Sequence, residues 1–570
     1  MSTRPFTRLR HSAAFTTALL LGCVIASTQT DVVLDAMRTE LLRTMTELAA
    51  RPQPPYFVAY AITETRTTSL ASSFGAMDID RHDVRRVMDV DVRVGTHDLD
   101  NTRSIRGVAF EIGRGGRNIA VPLEADVPAI RTLLWNATDR VYRDAIERYG
   151  KVTTNRQVKV REEDTSADLS REIAYTHYDT EQPFVFDTTG WRDRVRALSA
   201  MCAGHAHLLQ GRVTFQADYV IKWFANSDGS SIRVVEPIVK MFVIVKSKAD
   251  DGMSLPLYKS YTAFHPDRLP TEATMRKDVQ QMIDLCLRLR TAPLMETYTG
   301  PAILSGRSSG VFFHEIFGHR VEGHRQKDAN SSQTFKPFLN KRILPDFIDV
   351  VFDPTISRLA DEDIVGFYRF DDEGIPGKPV SAVEKGVFKG FLMSRSPIDS
   401  FPVSNGHGRR QAGYRPVARQ SNLIVKASQT VPYDSLRALL RSQCRSQGKE
   451  FGLLFEDIQG GFTFTGRTVP NAFNVQPLVV YKIFADGRPD ELVRGVDLIG
   501  TPLTTFNNIV AAADDIGIFN GVCGAESGGV PVSASSPSIL VSTIEVQKKQ
   551  KSQAKPPLLG DPTIRTGGQP

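Results

Sequence analysis

Near Ala292 the chain changes texture, and that change calls for two folded bodies of different kinds. Upstream, apolar residues recur at both helical and strand periods. From Asp31 to Ala50, the residues Val33, Met37, Leu41, Met45 and Leu48 mark one face of an amphipathic helix. Asp31 can cap it, and Pro52, Pro54 and Pro55 end it. A longer stripe (Ile130, Leu133, Leu134, Ala137, Val141, Ala145, Ile146) predicts a helix over 128–149, with Gly150 suited to its end. A further helix is predicted at about 272–290. Met88, Val90, Val92 and Val94 alternate with Asp89, Asp91 and Arg93 as in a half-buried strand, and Val213 to Tyr219 alternates likewise. Asn226 to Gly229 reads as a turn. Downstream, glycine is frequent and strand-turn-strand patterns dominate. Val383 to Phe391 turns at Lys385-Gly386, and Leu478 to Val493 turns at Asp486-Gly487. Tyr433 to Arg445 is the one helix singled out there besides the histidine segment described below. The expected class is α+β. An N-terminal α+β domain with an enlarged middle spans 31–291, and a mostly antiparallel-β domain spans 292–546. Residues 547–570, rich in Lys, Gln, Pro and Gly, read as a disordered tail.

Charge separates the ends from the body. The formal net charge is +6. Residues 1–26 hold Arg4, Arg8 and Arg10 with no acid. Residues 547–570 hold Lys548, Lys549, Lys551, Lys555 and Arg565 against Asp561. Without these ends the body carries −1. A nucleic-acid reader needs basic charge on its folded part, so no nucleic-acid partner is expected. The N-terminus reads as an export signal. After the three arginines, Ala13 to Ala26 is uncharged and mostly apolar, long enough for a signal core and too short to span a bilayer. Val24 and Ala26 suit cleavage, so 1–26 is expected to be a signal peptide. Leu20-Leu21-Gly22-Cys23 also resembles a bacterial lipobox, in which Cys23 would carry lipid. The expected location is the periplasm or the bacterial envelope, with membrane contact only through such an anchor. Cys202, Cys286 and Cys444 read as free buried thiols, with a pairing of two of them left open. His205 and His207 read as structural.

The chemistry concentrates in one segment. Of eleven histidines, His314, His319 and His324 fall in a single short stretch, and His314-Glu315 followed by His319 makes an HExxxH arrangement. In zinc proteases with HExxH, the two histidines share one helix face. Spaced five apart on a regular α-helix, they would point about 140° apart, and one ion could not touch both. This helix is therefore expected to be irregular. A π-bulge, eased by Gly318, would restore a shared face. If both rings held Zn²⁺, Glu315 would act as general base, taking a proton from a metal-activated water and handing it to the leaving amine. A catalytic site needs a third protein ligand and an open position. Glu322, His324, the Asp371-Asp372-Glu373 cluster and Cys523 are the candidates; Cys523 lies in a glycine-flanked segment and offers a thiolate.

Several blocks in order resemble the TldD/PmbA family of metalloproteases. They are His314-Glu315-x-x-Gly318-His319-x-x-Glu322-Gly323, Asp371-Asp372-Glu373-Gly374-x-Pro376-Gly377, Val387-x-Lys389-Gly390-Phe391, Gly406-x-Gly408-Arg409-Arg410, and Gly521-x-Cys523-Gly524 followed by Val530-Pro531-Val532. All ligand positions are present, as in the metal-binding TldD type. The resemblance implies that His314, His319 and Cys523 hold zinc, with Glu315 as general base. It implies cleavage of unfolded polypeptide or peptide, bound partly by strand pairing. It also implies a homodimer, or a heterodimer with a PmbA-type subunit. The family's description as a modulator of DNA gyrase suggests nucleic-acid binding, against which the near-neutral body argues. The export signal departs from familiar members, and so does His324, where the pattern has Asp. Glu322, His324 and Arg409 are candidates for a supporting shell around the ligands. His324 is otherwise expected to face solvent, and Arg409 and Arg410 to meet a substrate carboxylate or carbonyl or form structural ion pairs. The competing reading is a non-catalytic subunit or peptide-binding scaffold of such a complex, with a structural metal.

Overall fold

In a computed structural model of the chain, the structure describes residues 31–105, 117–157, 164–328, 331, 333–463, 473–549 and 557. The expected signal segment, with Cys23, lies outside the described residues, as does most of the expected tail. Among the described residues no helix is long and apolar enough to cross a membrane.

The first domain is built on very long antiparallel strands. Pro55–Ser73 and Ala76–Val94 form a hairpin whose two-residue turn, Phe74-Gly75, has positive φ at both positions (49° and 89°) and so matches the strand twist. Pro55–Ser73 also pairs with Leu208–Asn226, which pairs with Ser231–Lys248, and Ser254–Ala263 completes that edge. Alternation sorts the side chains. Val58, Tyr60 and Ile62, with Tyr219, Ile221 and Trp223, face the helices Val32–Leu48 and Val127–Gln157. Farther along the same face, Leu70, Val213 and Phe215 meet the helices Thr188–Ala200 and Glu272–Thr291. The opposite face carries Phe57, Ala59 and Phe224 toward the second domain.

The predicted elements are found, with shifted ends. Asp31 does cap the first helix, accepting from Leu34 N at 2.9 Å. The second helix runs on through Gly150 to Gln157. A glycine inside a helix costs only about 1 kcal/mol, and Val152, 2% exposed, packs beyond it. The strand expected at Met88–Val94 begins at Ala76. Its distal half is charged and exposed, so it shows no alternation; pairing with Pro55–Ser73 holds it, helped by ion pairs of Asp78 with Arg212 and Asp80 with Arg192.

The second domain packs two sheets around a buried helix. One sheet runs Val387–Phe388, Val380–Glu384, Ile348–Phe352, Asn422–Ala427, Gly528–Ser536, Gly517–Ala525, the last being an edge. The other contains Phe451–Thr463, Tyr298–Leu304, Ile539–Lys548, Val496–Gly500 and Phe473–Phe484. Both are mostly antiparallel, with parallel pairings of Asn422–Ile424 to Ser533–Ser535 and of Leu453–Phe455 to Ala302–Leu304. The last strand ends at Lys548, two residues inside the stretch read as tail. The helix Gly306–Ile316 lies in the core, where Phe312, Phe313 and Phe317 meet Phe335, Phe352, Phe388 and Phe506. Each fully buried ring contributes roughly 1.5–3 kcal/mol. Gly306 and Gly310 let this helix touch the sheet. A Cβ at Gly310 would stand 2.7 Å from the Ala534 carbonyl oxygen, and one at Gly306 would collide with the Gly517 backbone.

Candidate metal centre

The histidine helix begins at Gly306, where Ser305 accepts from Ser308 N at 3.3 Å. It stops at Ile316, and a 3₁₀ turn, Gly318–Arg320, follows. No π-bulge forms; the chain leaves the α-helix between the two histidines altogether. The reason lies in the helix's last carbonyls, which must find partners once the helix ends. Gln420 Nε2 donates to the His314 oxygen at 3.3 Å. Arg320 Nη1 donates to the Glu315 and Ile316 oxygens at 3.2 and 3.1 Å. Gly318 is needed because any Cβ there would collide with the Gln420 amide. The break turns His319 back on His314, with ring centroids 5.1 Å apart.

Cys523 comes from the edge strand Gly517–Ala525, opposite Val530 in a hairpin. Alternation leaves Val522 exposed at 55% and Cys523 buried at 5%. Ligand-type atoms of His314, His319 and Cys523 all lie within 4.8 Å of one another. Cys523 Sγ is 3.3 Å from His319 Nε2. The other nitrogen of that ring, Nδ1, meets Glu322 Oε2 at 3.3 Å. Glu322 is wholly buried; it accepts from Arg325 Nε at 2.9 Å and lies 3.4 Å from Arg419 Nε. Arg419 also donates to the Cys523 carbonyl at 2.7 Å and to Ser527 Oγ at 2.7 Å. One guanidinium thus ties the carboxylate behind His319 to the backbone of Cys523.

The electrostatics prepare the sulfur. Burial alone would raise the Cys523 thiol, but His319 and His314 pull it well below the ordinary range. Burial opposes charge on His319, yet Cys523 and Glu322 outweigh it and hold that ring well above its usual pKa. Burial would also raise Glu322, and His319, Arg325 and Arg419 bring it down to about 2. These neighbours favour the thiolate, the form that ligates metals. His314 Nδ1 is buried without a hydrogen-bond partner, which is costly unless something else takes its lone pair or proton. Two imidazoles and a thiolate are a donor set zinc favours, and three protein donors leave the fourth tetrahedral position open. The residues fit the ion.

The other candidates fall elsewhere. His324 is not solvent-facing; its Nε2 pairs with Glu526, which also accepts from Arg325 at 2.9 Å. Arg409 touches none of the donors. It donates to the Gln420 carbonyl at 2.6 Å and covers the Tyr368 ring, 4.5 Å from its centroid. Arg410 pairs with Asp89 of the first domain. Asp371, Asp372 and Glu373 supply no ligand. Asp371 accepts from the backbone N–H groups of Glu373, Ile375 and Gly408, and Asp372 from Lys222 and Arg410 N. The described thiols of Cys202, Cys286 and Cys444 are buried and unpaired. Sequence reasoning missed Arg320, Arg419, Gln420 and Glu526. The run Arg419-Gln420-Ser421-Asn422, entirely buried, gave no periodic signal of its role.

Comparisons with known proteins point to metalloprotease relatives. Residues 297–548 match the family "PmbA/TldA metallopeptidase C-terminal domain". The chain is 31% identical over 238 residues to a metalloprotease of Archaeoglobus fulgidus, covering 42% of this chain and 51% of that protein. It is 28% identical over 274 residues to a metalloprotease TldD homologue of Haemophilus influenzae, covering 47% and 51%. It is 25% identical over 249 residues to a zinc metalloprotease TldD homologue of Saccharolobus solfataricus, covering 43% and 51%. The chain thus spans about half the length of the curated relatives it matches. Among solved structures, a Thermotoga maritima protein described as a candidate modulator of a DNA gyrase superposes with a TM-score of 0.59 at 14% identity, covering 89% of this chain and 99% of that one. TldE from Thermococcus kodakarensis superposes at 0.55 and 11%, covering 90% and 100%. At such identities these two likenesses show the fold.

Proposed function

The second domain of this chain belongs to the TldD/PmbA family, and on that footing we propose that the protein is a zinc-dependent metallopeptidase that hydrolyses peptide bonds of unfolded proteins or peptides. The observation that carries the reading is the meeting of His314, His319 and Cys523, with Glu315 next in sequence to His314 and buried like it. The zinc-protease name of one relative supports the choice of ion. His314, His319 and Cys523 would hold the zinc, which when bound supplies a Lewis acid and an acidified water at neutral pH. Glu315, next in sequence to His314, receives the proton from the attacking water on its carboxylate and returns it to the leaving amine. Glu322 fixes the ring of His319 through Nδ1, leaving Nε2 for the ion. The phenylalanine core around the helix keeps the donors from drifting.

An extended substrate suits the edge on which Cys523 sits. Gly517–Ala525 ends its sheet, and an unpaired edge can accept a peptide as one more strand, binding through main chain with little regard to sequence. The TldE likeness supports assembly with a PmbA-type subunit or a second copy, which light scattering of the purified chain would reveal. Export or lipid anchoring through residues 1–26 belongs to the same reading; mass spectrometry of the mature N-terminus tests it. The decisive experiment is Glu315→Gln. Casein cleavage should fall by about 10²- to 10⁴-fold while bound zinc stays near one per chain. Unchanged cleavage with zinc retained would leave the competing reading, a scaffold with a structural metal.

A further inference from the structure

The three donors of the metal centre do not stand on equal ground. Cys523 lies just before the turn Glu526-Ser527, which joins Gly517–Ala525 to Gly528–Ser536. Gly521, Gly524, Gly528 and Gly529 crowd this tip, and glycine leaves a backbone its greatest freedom. The neighbouring strand Asn422–Ala427 pairs with the hairpin at Ser533–Ser535, so the tip is a two-stranded ribbon, marginal when left to itself. Its outer face is bare: Val522 is exposed, and a Cβ at Gly524 would meet no atom within 4 Å. A metal bond tolerates a shift of only about 0.2 Å, and such a ribbon needs outside help to hold a sulfur that still.

The histidine side is fixed. Behind His319, the segment of Glu322 is pinned by main chain, with Gly323 N donating to the Leu392 carbonyl at 2.8 Å and Leu392 N to the Val321 carbonyl at 2.9 Å. Two guanidiniums run from this carboxylate to the ribbon's tip. Arg325 donates from Nε to Glu322 Oε2 at 2.9 Å and from Nη2 to Glu526 Oε2 at 2.9 Å. His324 Nε2 meets the other oxygen of Glu526. Arg419 is wholly buried, its Nε 3.4 Å from Glu322 Oε1. Its Nη2 donates to the Cys523 carbonyl at 2.7 Å, and its Nη1 to Ser527 Oγ at 2.7 Å and the Gly528 carbonyl at 3.0 Å. The backbone of Arg419 is held in turn, its N–H donating to the His407 carbonyl at 2.9 Å.

Resting on the zinc reading above, we infer that Arg325 and Arg419 form a clamp that holds the Cys523 ribbon against His319 and so sets the spacing between the two halves of the donor set. They are positioning residues, acting through Glu322 and the ribbon's backbone. Arginine suits the task because its planar fork serves several acceptors at once, whereas the single ammonium of lysine cannot span them. The clamp leaves Val522 and Gly524 uncovered, so the ribbon can be held firm while an extended peptide pairs along it.

Hydrogen exchange and metal binding on the full chain test the clamp. In metal-free protein, Arg419→Lys should speed amide exchange at the ribbon's tip about tenfold, the effect of one lost charge-assisted hydrogen bond, while Tyr298–Leu304 exchanges as in wild type. Zinc affinity, read by competition with a fluorescent chelator, should fall about 10- to 100-fold. Co²⁺ bound in place of zinc should show a weakened sulfur charge-transfer band. Glu526→Gln and Ser527→Ala loosen the clamp from the ribbon's side and leave Glu322 its partners; both should move the same readouts the same way, Ser527→Ala least. Unchanged exchange at the tip, or zinc affinity within about twofold of wild type, in both folded Arg419→Lys and Glu526→Gln would overturn the clamp and leave the metal site standing. Wild type binding neither ion would overturn the zinc reading, and the clamp with it.

Discussion

Two clusters of ligand-type side chains lie in the second domain, and from sequence alone the acidic one was a candidate to complete the histidine site. At His314, His319 and Cys523, donor atoms face one another, and one ring nitrogen has no partner. At Asp371, Asp372 and Glu373, the carboxylates are already engaged. Asp371 alone accepts three backbone N–H groups. A metal needs lone pairs not yet spent on hydrogen bonds. Only the first cluster offers them, although the second is richer in formal charge. The acids instead shape a turn that docks one domain on the other through Lys222 and Arg410.

That contrast can be broken experimentally. Cys523→Ser should produce the largest effect. Zinc affinity should fall by more than the roughly 100-fold that losing a supporting group costs, measured by metal content after dialysis, with the melting profile of the metal-free protein little changed. Asp371→Ala should do the reverse. Three buried N–H groups lose their acceptor, so stability should drop by about 3 kcal/mol or more in urea titration, while bound zinc stays at the wild-type ratio. Metal loss in that variant would show that the acidic turn is part of the site.

The acidic cluster should also betray itself through pH. Burial holds Glu373 up at about 7, above its ordinary value of 4.5. The folded protein therefore binds this proton more tightly than the unfolded chain does. Its contribution to stability is fully present below pH 4.5 and lost as pH rises through about 7. Glu373→Gln removes the effect. The stability of wild type relative to this variant should decline by about 3 kcal/mol across that window, at roughly 1.4 kcal/mol per pKa unit. A flat difference would mean the carboxyl stays charged throughout. The smallest change is expected at Glu322→Gln, which keeps the shape behind His319 but removes the charge. Zinc affinity should weaken about 10- to 100-fold, and competition with a fluorescent chelator reads it directly.

The legible parts of the molecule were those governed by near neighbours. The stripe from Val33 to Leu48, the turn at Lys385-Gly386 and the pattern His314-Glu315…His319 each reveal themselves within a few residues. The five-residue spacing even required an irregular helix, though not the way it breaks. That break depends on Gln420 and Arg320 claiming the helix's final carbonyls. Arg419, which links Glu322 to the Cys523 backbone, meets its partners about a hundred residues away. Buried arginines bonded across such distances leave no period in the sequence. The same holds for Arg409, whose motif position suggested a substrate contact but whose charge lies over Tyr368. The long charged half of Ala76–Val94 escaped notice because its polar side chains show no alternation.

The seam of glycines between the histidine helix and the sheet has a consequence for how this protein can vary. Gly306 and Gly310 stand one to two turns before His314, and neither touches a ligand atom. Yet a single methyl group at Gly306 must lift the helix off the Gly517 backbone, and Gly517 begins the strand that carries Cys523. The added carbon would pry both halves of the donor set apart at once. Tolerance to mutation should thus be lowest at the two residues with the least to offer chemically, and an alanine there would cost the centre its aim before it cost the fold its stability.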